Sequence, residues 1–154
     1  MPAYRPLAPS DLAAARALFE AEHVAAPFLA RANEYLEASG RGDALAVVAF
    51  EGSELRGVIL SGAVAGTAGA ATISAVCVAP GARRRGVGSA LVAAAISAFA
   101  ARHVRLVTAE VPVDPRTAPA TALMKRSGFA EEGRLKDFVA HGIDLAILVR
   151  RLKG

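Results

Sequence analysis

The chain has one cysteine, Cys77, which excludes an intramolecular disulfide and a cysteine-rich metal site. Aromatic residues are only 5% of the 154 residues, and none pairs beside the arginine-rich segment to stack bases. A net charge of +4 therefore does not by itself point to nucleic acid, for which no recognition motif is present. Lysine is scarce, three of 18 basic residues, so the basicity is arginine. No apolar run approaches the roughly 20 residues of a membrane span. The start, Met1-Pro2-Ala3-Tyr4-Arg5-Pro6, lacks the apolar core of a secretion signal. No membrane association is expected, and the expected location is the cytoplasm. Charged residues are few, 21% against 54% hydrophobic, which excludes global disorder. There is no repeat or linker, so residues 1–154 are read as a single domain large enough to bury a core. Neither a Ser-His-Asp order nor a metal cluster is visible, which removes the common hydrolytic classes.

What is present is a strand, a basic glycine-containing loop and a helix start, in that order. Ala75-Val76-Cys77-Val78 reads as a buried strand that Pro80 stops. Leu91, Val92, Ala95, Ile96 and Phe99 recur at helical spacing, placing Ser89 near a helix N-terminus. Such an end has unpaired N–H groups and the positive pole of the helix dipole. It therefore favours an anion. Gly86 and Gly88 let the backbone approach that anion, and Arg83, Arg84 and Arg85 add positive charge. Two familiar phosphate loops are excluded. Gly88 is followed by Ser89-Ala90, not Lys-Ser/Thr, and the third glycine of a dinucleotide fingerprint is missing.

The coarse element pattern is strand, two helices, three strands, helix, strand, helix, two strands. Strands are expected at 4–7, 45–50, 55–64, 72–78, 104–111 and around Ile143, Leu145, Ile147 and Val149, with one more ahead of that last strand. Pro9-Ser10-Asp11 starts a helix whose apolar face is Leu12, Ala15, Leu18 and Phe19. Pro27 suits the first turn of a second helix, stopped by Gly40. A last helix runs from about Pro119 to Ser127 and closes at Gly128. Strands interleaved with helices give an α/β or α+β sheet fold.

The motif Arg83-x-x-Gly86-x-Gly88, behind the Val78-Ala79-Pro80 strand exit, resembles the acyl-CoA pyrophosphate loop of the GNAT superfamily of N-acetyltransferases. The segment Ala120-Thr121-Ala122-Leu123-Met124-Lys125-Arg126-Ser127-Gly128-Phe129 is similar to that family's final helix and closing Gly-Phe, and Ala130-Glu131-Glu132-Gly133-Arg134-Leu135 to the strand that follows it. The resemblance runs from end to end of the chain. It implies a mixed, mostly antiparallel sheet flanked by helices, with two central strands parallel and diverging to admit acetyl-CoA as co-substrate. It further implies that Val76, Cys77 and Val78 offer backbone groups to the pantetheine arm, an N–H near Val78 facing the thioester carbonyl. The segment Arg83, Arg84, Arg85, Gly86, Val87, Gly88 and Ser89 would hold the phosphates. Thr117, Ala120 and Met124 would face the arm from the final helix, with Arg116, Lys125 and Arg126 near the adenosine end.

This chain departs from the family pattern at two positions. Thr117 stands where many members carry an asparagine, and Met124 stands where a tyrosine often protonates the departing thiolate. A thioether has no proton to donate. The strand at 72–78, which often carries an acid, has none. Glu110, ending the next strand, is the candidate general base; Glu22 and His23 remain alternatives, while His103 and His141 fall in turns. Cys77, in a buried apolar strand, reads as a small hydrophobe and not as an acyl-carrying nucleophile.

The expected reaction is direct attack of a primary amine, of a small molecule or a peptide, on acetyl-CoA within a ternary complex. Phe28, Arg31 and Tyr35, with Glu34, are the candidate acceptor residues on the second helix. The rival reading is a module that binds acyl-CoA without transferring it. The final strand either pairs across a homodimer or packs inside the sheet.

Overall fold

Seven strands are present among the described residues of a computed structural model. They are β1 (Ala3–Pro6), β2 (Leu45–Glu51), β3 (Glu54–Ala63), β4 (Ala70–Val78), β5 (Leu106–Pro112), β6 (Ala130–Ala140) and β7 (Ile143–Arg151). The structure describes residues 1–22, 34, 36–38 and 44–153. The strands form one sheet in the order β1-β2-β3-β4-β5-β7-β6. Every pair is antiparallel except β4–β5, which is parallel. A parallel pair needs a crossover, and α2 (Val87–Ala101) supplies it. The other helices are α1 (Leu12–Ala21), entered through a 3₁₀ turn at Pro9–Asp11, and α3 (Ala118–Arg126).

The helices cover both faces of the sheet. On one face α2 buries Val87, Leu91, Val92, Ala95, Ile96 and Phe99 against Val47, Ile59, Ile73, Val107 and Leu148. On the other face Ala15 and Phe19 of α1, with Leu36, pack on Val48, Val58, Leu60 and Cys77. Burying a phenylalanine such as Phe19 or Phe99 contributes about 2–3 kcal/mol. A Cβ on Gly57 of β3 would lie 2.9 Å from Leu91 Cδ1 and 3.1 Å from Val87 Cγ1, so only glycine lets α2 sit this close to the sheet. Asp11 ties β1 to α1. Its carboxylate accepts hydrogen bonds from Arg5 at 2.7 and 3.0 Å and from the Ala8 N–H at 2.7 Å.

The expected strands and helices are present with small shifts. The strand expected from Val104 begins at Leu106, because the Val104 N–H closes α2 on the Phe99 carbonyl at 3.0 Å. β6 continues past Leu135 to Ala140; the Asp137 N–H donates to Asp144 Oδ1 and the Gly142 N–H to Asp137 Oδ1. The final strand lies inside the sheet, between β5 and β6, so it offers no edge for pairing with a second copy. Its interior place also explains why Leu145, Ala146, Leu148 and Val149 are buried on both faces, where alternation alone predicted one. Of the second helix, residues 34 and 36–38 are helical and Leu36 is fully buried; its expected start at Pro27 and stop at Gly40 lie outside the described residues.

Candidate active site

The β4–β5 ladder is short. Ala70–Ile73 pair with Leu106–Ala109, and beyond Ile73 and Ala109 the two strands part. β5 keeps its pairing with β7 through Pro112, and β4 keeps its pairing with β3 through Val78. The result is a V-shaped opening bounded by Ser74–Val78 on one side and Glu110–Pro112 on the other. Ligands in sheets with parallel strands bind beyond the strands' carboxyl ends, where such openings lie.

The loop leaving β4 leads into that opening. Pro80–Ala82 form a 3₁₀ turn, Arg84 takes φ +60°, and Gly86 takes φ +79° as the residue before α2. The left-handed conformation at Gly86 is the one glycine adopts without strain. No side chain caps α2, and its first bond to the preceding residue runs from the Ala90 N–H to the Gly86 carbonyl at 3.0 Å. The N–H groups of Val87, Gly88 and Ser89 thus begin a 15-residue helix with its dipole behind them. A Cβ at Gly86 would meet no protein atom within 4 Å, so the space beside it is open. Gly88 lies against the strand exit: its Cβ would be 3.0 Å from Leu123 Cδ2 and 3.5 Å from Val78 Cγ2. These features make an anion cradle.

The three arginines are not equivalent. Arg83 pairs with Glu22 and its Nε donates to the Val78 carbonyl at 3.3 Å. Arg85 pairs with Glu51 at 3.1 Å. Among the described residues Arg84 has no ion pair. Glu22, the alternative to Glu110 as base, is engaged with the loop through Arg83.

Val76 and Val78 pack toward the α2 face, while Ala75 and Cys77 turn toward α1. Burial pushes the Cys77 thiol up to about 12, so it stays protonated and unreactive near neutral pH. Glu110 is half-buried, the first β5 residue past the last β4 pair. Alternation sets it with Thr108 on the face opposite Val107, Ala109 and Val111, which join the α2-side core. At the root of the opening Thr108 Oγ1 donates to Thr72 Oγ1 at 3.0 Å, and Thr72 Oγ1 to the Thr108 carbonyl at 3.3 Å.

The named α3 residues make contacts within the fold. The Thr117 hydroxyl bonds the Pro112 carbonyl and the Asp114 carbonyl, the latter at 2.8 Å, so its one proton is held within the turn that starts α3. Ala120 packs partly buried on the α2-side core, and Met124 is 3% exposed within it. His103 lies just past the C-terminal end of α2, about 22 Å from the anion cradle at the rise of a 15-residue helix. His141 lies in the β6–β7 turn. His23, Phe28, Arg31 and Tyr35 lie outside the described residues, while Glu34 is helical and exposed.

The features that sequence reading missed are the Glu22–Arg83 pair, the Thr72–Thr108 pair and Ser74 at the root of the opening. Hydroxyl residues within an otherwise apolar strand were the available signal. Among the described residues no helix is long and apolar enough to cross a membrane.

The model of the acetyltransferase (GNAT) family matches residues 12–129. No curated protein matches the sequence. Among solved structures, a GNAT-family protein from Desulfovibrio desulfuricans is 25% identical with a TM-score of 0.87, covering 98% of this chain and 99% of that one. The ribosomal-protein-alanine N-acetyltransferase of Brucella melitensis is 24% identical with a TM-score of 0.80, covering 97% and 99%. Arabidopsis thaliana NAA60, solved with a bisubstrate analogue, is 21% identical with a TM-score of 0.82, covering 100% and 99%.

Proposed function

Because the chain belongs to the acetyltransferase (GNAT) family, we propose that it moves an acetyl group from acetyl-CoA to a primary amine by direct attack in a ternary complex. The observation that carries this reading is the uncapped N-terminus of α2, set beside Val78 at the edge of the β4–β5 opening. Backbone N–H groups of Val87, Gly88 and Ser89 fit a pyrophosphate, and the open space beside Gly86 leaves room for it. Arg84 is the arginine most available to a phosphate, since binding through Arg83 or Arg85 must first displace a carboxylate. The β5-facing edge of β4, unpaired beyond Ile73, offers backbone partners at Val76 to Val78 to the amide-bearing arm.

The amine nitrogen attacks the thioester carbonyl carbon. A carbon–nitrogen bond forms, the carbon–sulfur bond breaks, and the amine proton passes to Glu110, directly or through water. Met124 has no proton to give and lies in the core, so CoA departs as its thiolate. Cys77 takes no part, since its thiol stays protonated beneath α1. The acceptor is a small molecule or a peptide. Residues 1–154 act as one catalytic domain.

Calorimetric titration with acetyl-CoA tests the donor assignment. Saturable one-to-one binding is expected. No heat and no saturation with either acetyl-CoA or free CoA would overturn it.

A further inference from the structure

Ser74 is the one residue of central β4 that the sheet leaves out on both sides. Leu60 of β3 pairs with Ala75 and Ser61 pairs with Ile73, so Ser74 is the extra residue of a bulge. The β4–β5 ladder stops one residue earlier, at Ile73 and Ala109. By register Ser74 and Glu110 are therefore the first positions on either side of the opening. The bulge also reverses the alternation of β4: Ala71 and Ile73 join the α2-side core before it, Val76 and Val78 after it.

The Ser74 hydroxyl oxygen is buried and finds no hydrogen-bond partner among the described residues. Other strand hydroxyls nearby are satisfied. Ser61 Oγ donates to the Leu45 carbonyl at 2.8 Å, and Thr72 and Thr108 bond each other. A buried hydroxyl without a partner is costly, and alanine occupies Ala71 and Ala75 on the same strand without difficulty. The fold gains nothing visible from the hydroxyl at position 74.

Chain length shows what reaches it. Ser74 and Val78 are four residues apart on β4, about 13 Å along a strand. From its pyrophosphate to its sulfur, CoA is a chain of about twelve bonds, the extended length of about four residues at three backbone bonds each. With the pyrophosphate at α2's N-terminus, where Gly88 adjoins Val78, an arm laid back along β4 ends at Ser74.

We propose that the Ser74 hydroxyl donates a hydrogen bond to the thioester carbonyl oxygen of bound acetyl-CoA, across the opening from Glu110. This rests on the acetyl-CoA reading above, and it moves the carbonyl from the Val78 end of the strand to the Ser74 end. The bond holds the carbonyl in one orientation and strengthens as negative charge develops on that oxygen during attack. No proton is transferred to or from Ser74.

Free CoA lacks the carbonyl, which makes the test a difference between two ligands. Wild type and Ser74→Ala are titrated calorimetrically with acetyl-CoA and with CoA, and their unligated melting temperatures are compared. The expected result is an acetyl-CoA Kd weakened about 5- to 10-fold, an unchanged CoA Kd, and an unligated Tm that is equal or higher. Equal losses for both ligands, no loss for either, or a lowered unligated Tm would overturn the assignment. Wild type that binds CoA and acetyl-CoA alongside an indifferent Ser74→Ala refutes only the role of Ser74. Wild type that binds neither refutes the donor reading, and this inference with it.

Discussion

Gly86 separates the cost of backbone strain from the cost of losing the anion. It has φ +79°, and a Cβ there meets no protein atom within 4 Å. Gly86→Ala thus pays only for the left-handed backbone, about 1–2 kcal/mol. For a chain of this length that lowers Tm by about 3–8 °C. Gly86→Glu carries the same strain and adds a carboxylate beside the pyrophosphate. At about 6 Å and an effective dielectric constant of about 20, each unit of like charge costs about 3 kcal/mol, or about 100-fold in Kd. The assay is the Tm of each variant, alone and across a range of acetyl-CoA concentrations, at low ionic strength, where screening is weak. Both variants are expected to melt alike without ligand. The alanine variant keeps a shifted saturation curve, and the glutamate variant needs at least about 100-fold more acetyl-CoA than the alanine variant. A glutamate variant that saturates at wild-type concentrations would refute the placement of the pyrophosphate.

Gly57→Ala drives a Cβ to within 2.9 Å of Leu91 Cδ1 and 3.3 Å of the Cys77 carbonyl, and is expected to cost about 1–3 kcal/mol in urea unfolding; an unchanged midpoint would contradict the packing of α2 on β3. Cys77, with its thiol pushed up to about 12, is expected to resist a disulfide reagent in the native protein at neutral pH and to react only on unfolding; rapid native labelling would show the thiol is not buried. The Arg5 guanidinium beside Asp11 holds that carboxyl below the usual range, so its stabilisation is complete above that range and disappears as pH falls through the lowered value. Asp11→Ala should therefore cost about 1–2 kcal/mol near neutrality. The gap from wild type should narrow as pH falls through the usual carboxylate range and below it, and a gap independent of pH would refute the pairing. Glu110→Gln is expected to cut turnover about 100-fold with acetyl-CoA affinity preserved, and retained turnover would remove Glu110 as the base.

Local chemistry was legible in the chain. Pro80 ending a strand and helical periodicity from Leu91 to Phe99 act within a few residues of one another, and both appear in the structure. The parting of β4 from β5 followed from the family resemblance and is present in the ladder. Long-range features were not legible. Nothing in Ile143 to Val149 says that this strand inserts between β5 and β6, because that depends on which strand edge is free when it arrives. The engagement of Glu22 with Arg83 needs α1 to end against β4, which periodicity does not specify. The bulge at Ser74 was not legible, because a bulge exists only as a register difference between partners. Met124 matched a catalytic position by alignment, but its apolar side chain belongs to the α2-side core.

The most direct test of the central claim is release of CoA thiol from acetyl-CoA by the wild-type protein, measured against a panel of primary amines and peptides with free N-termini, with products weighed by mass spectrometry. The account predicts that at least one amine raises thiol release well above hydrolysis and gains the mass of one acetyl group. Tight acetyl-CoA binding with no amine-dependent release across the panel would contradict acetyl transfer and favour a protein that holds acyl-CoA without passing it on.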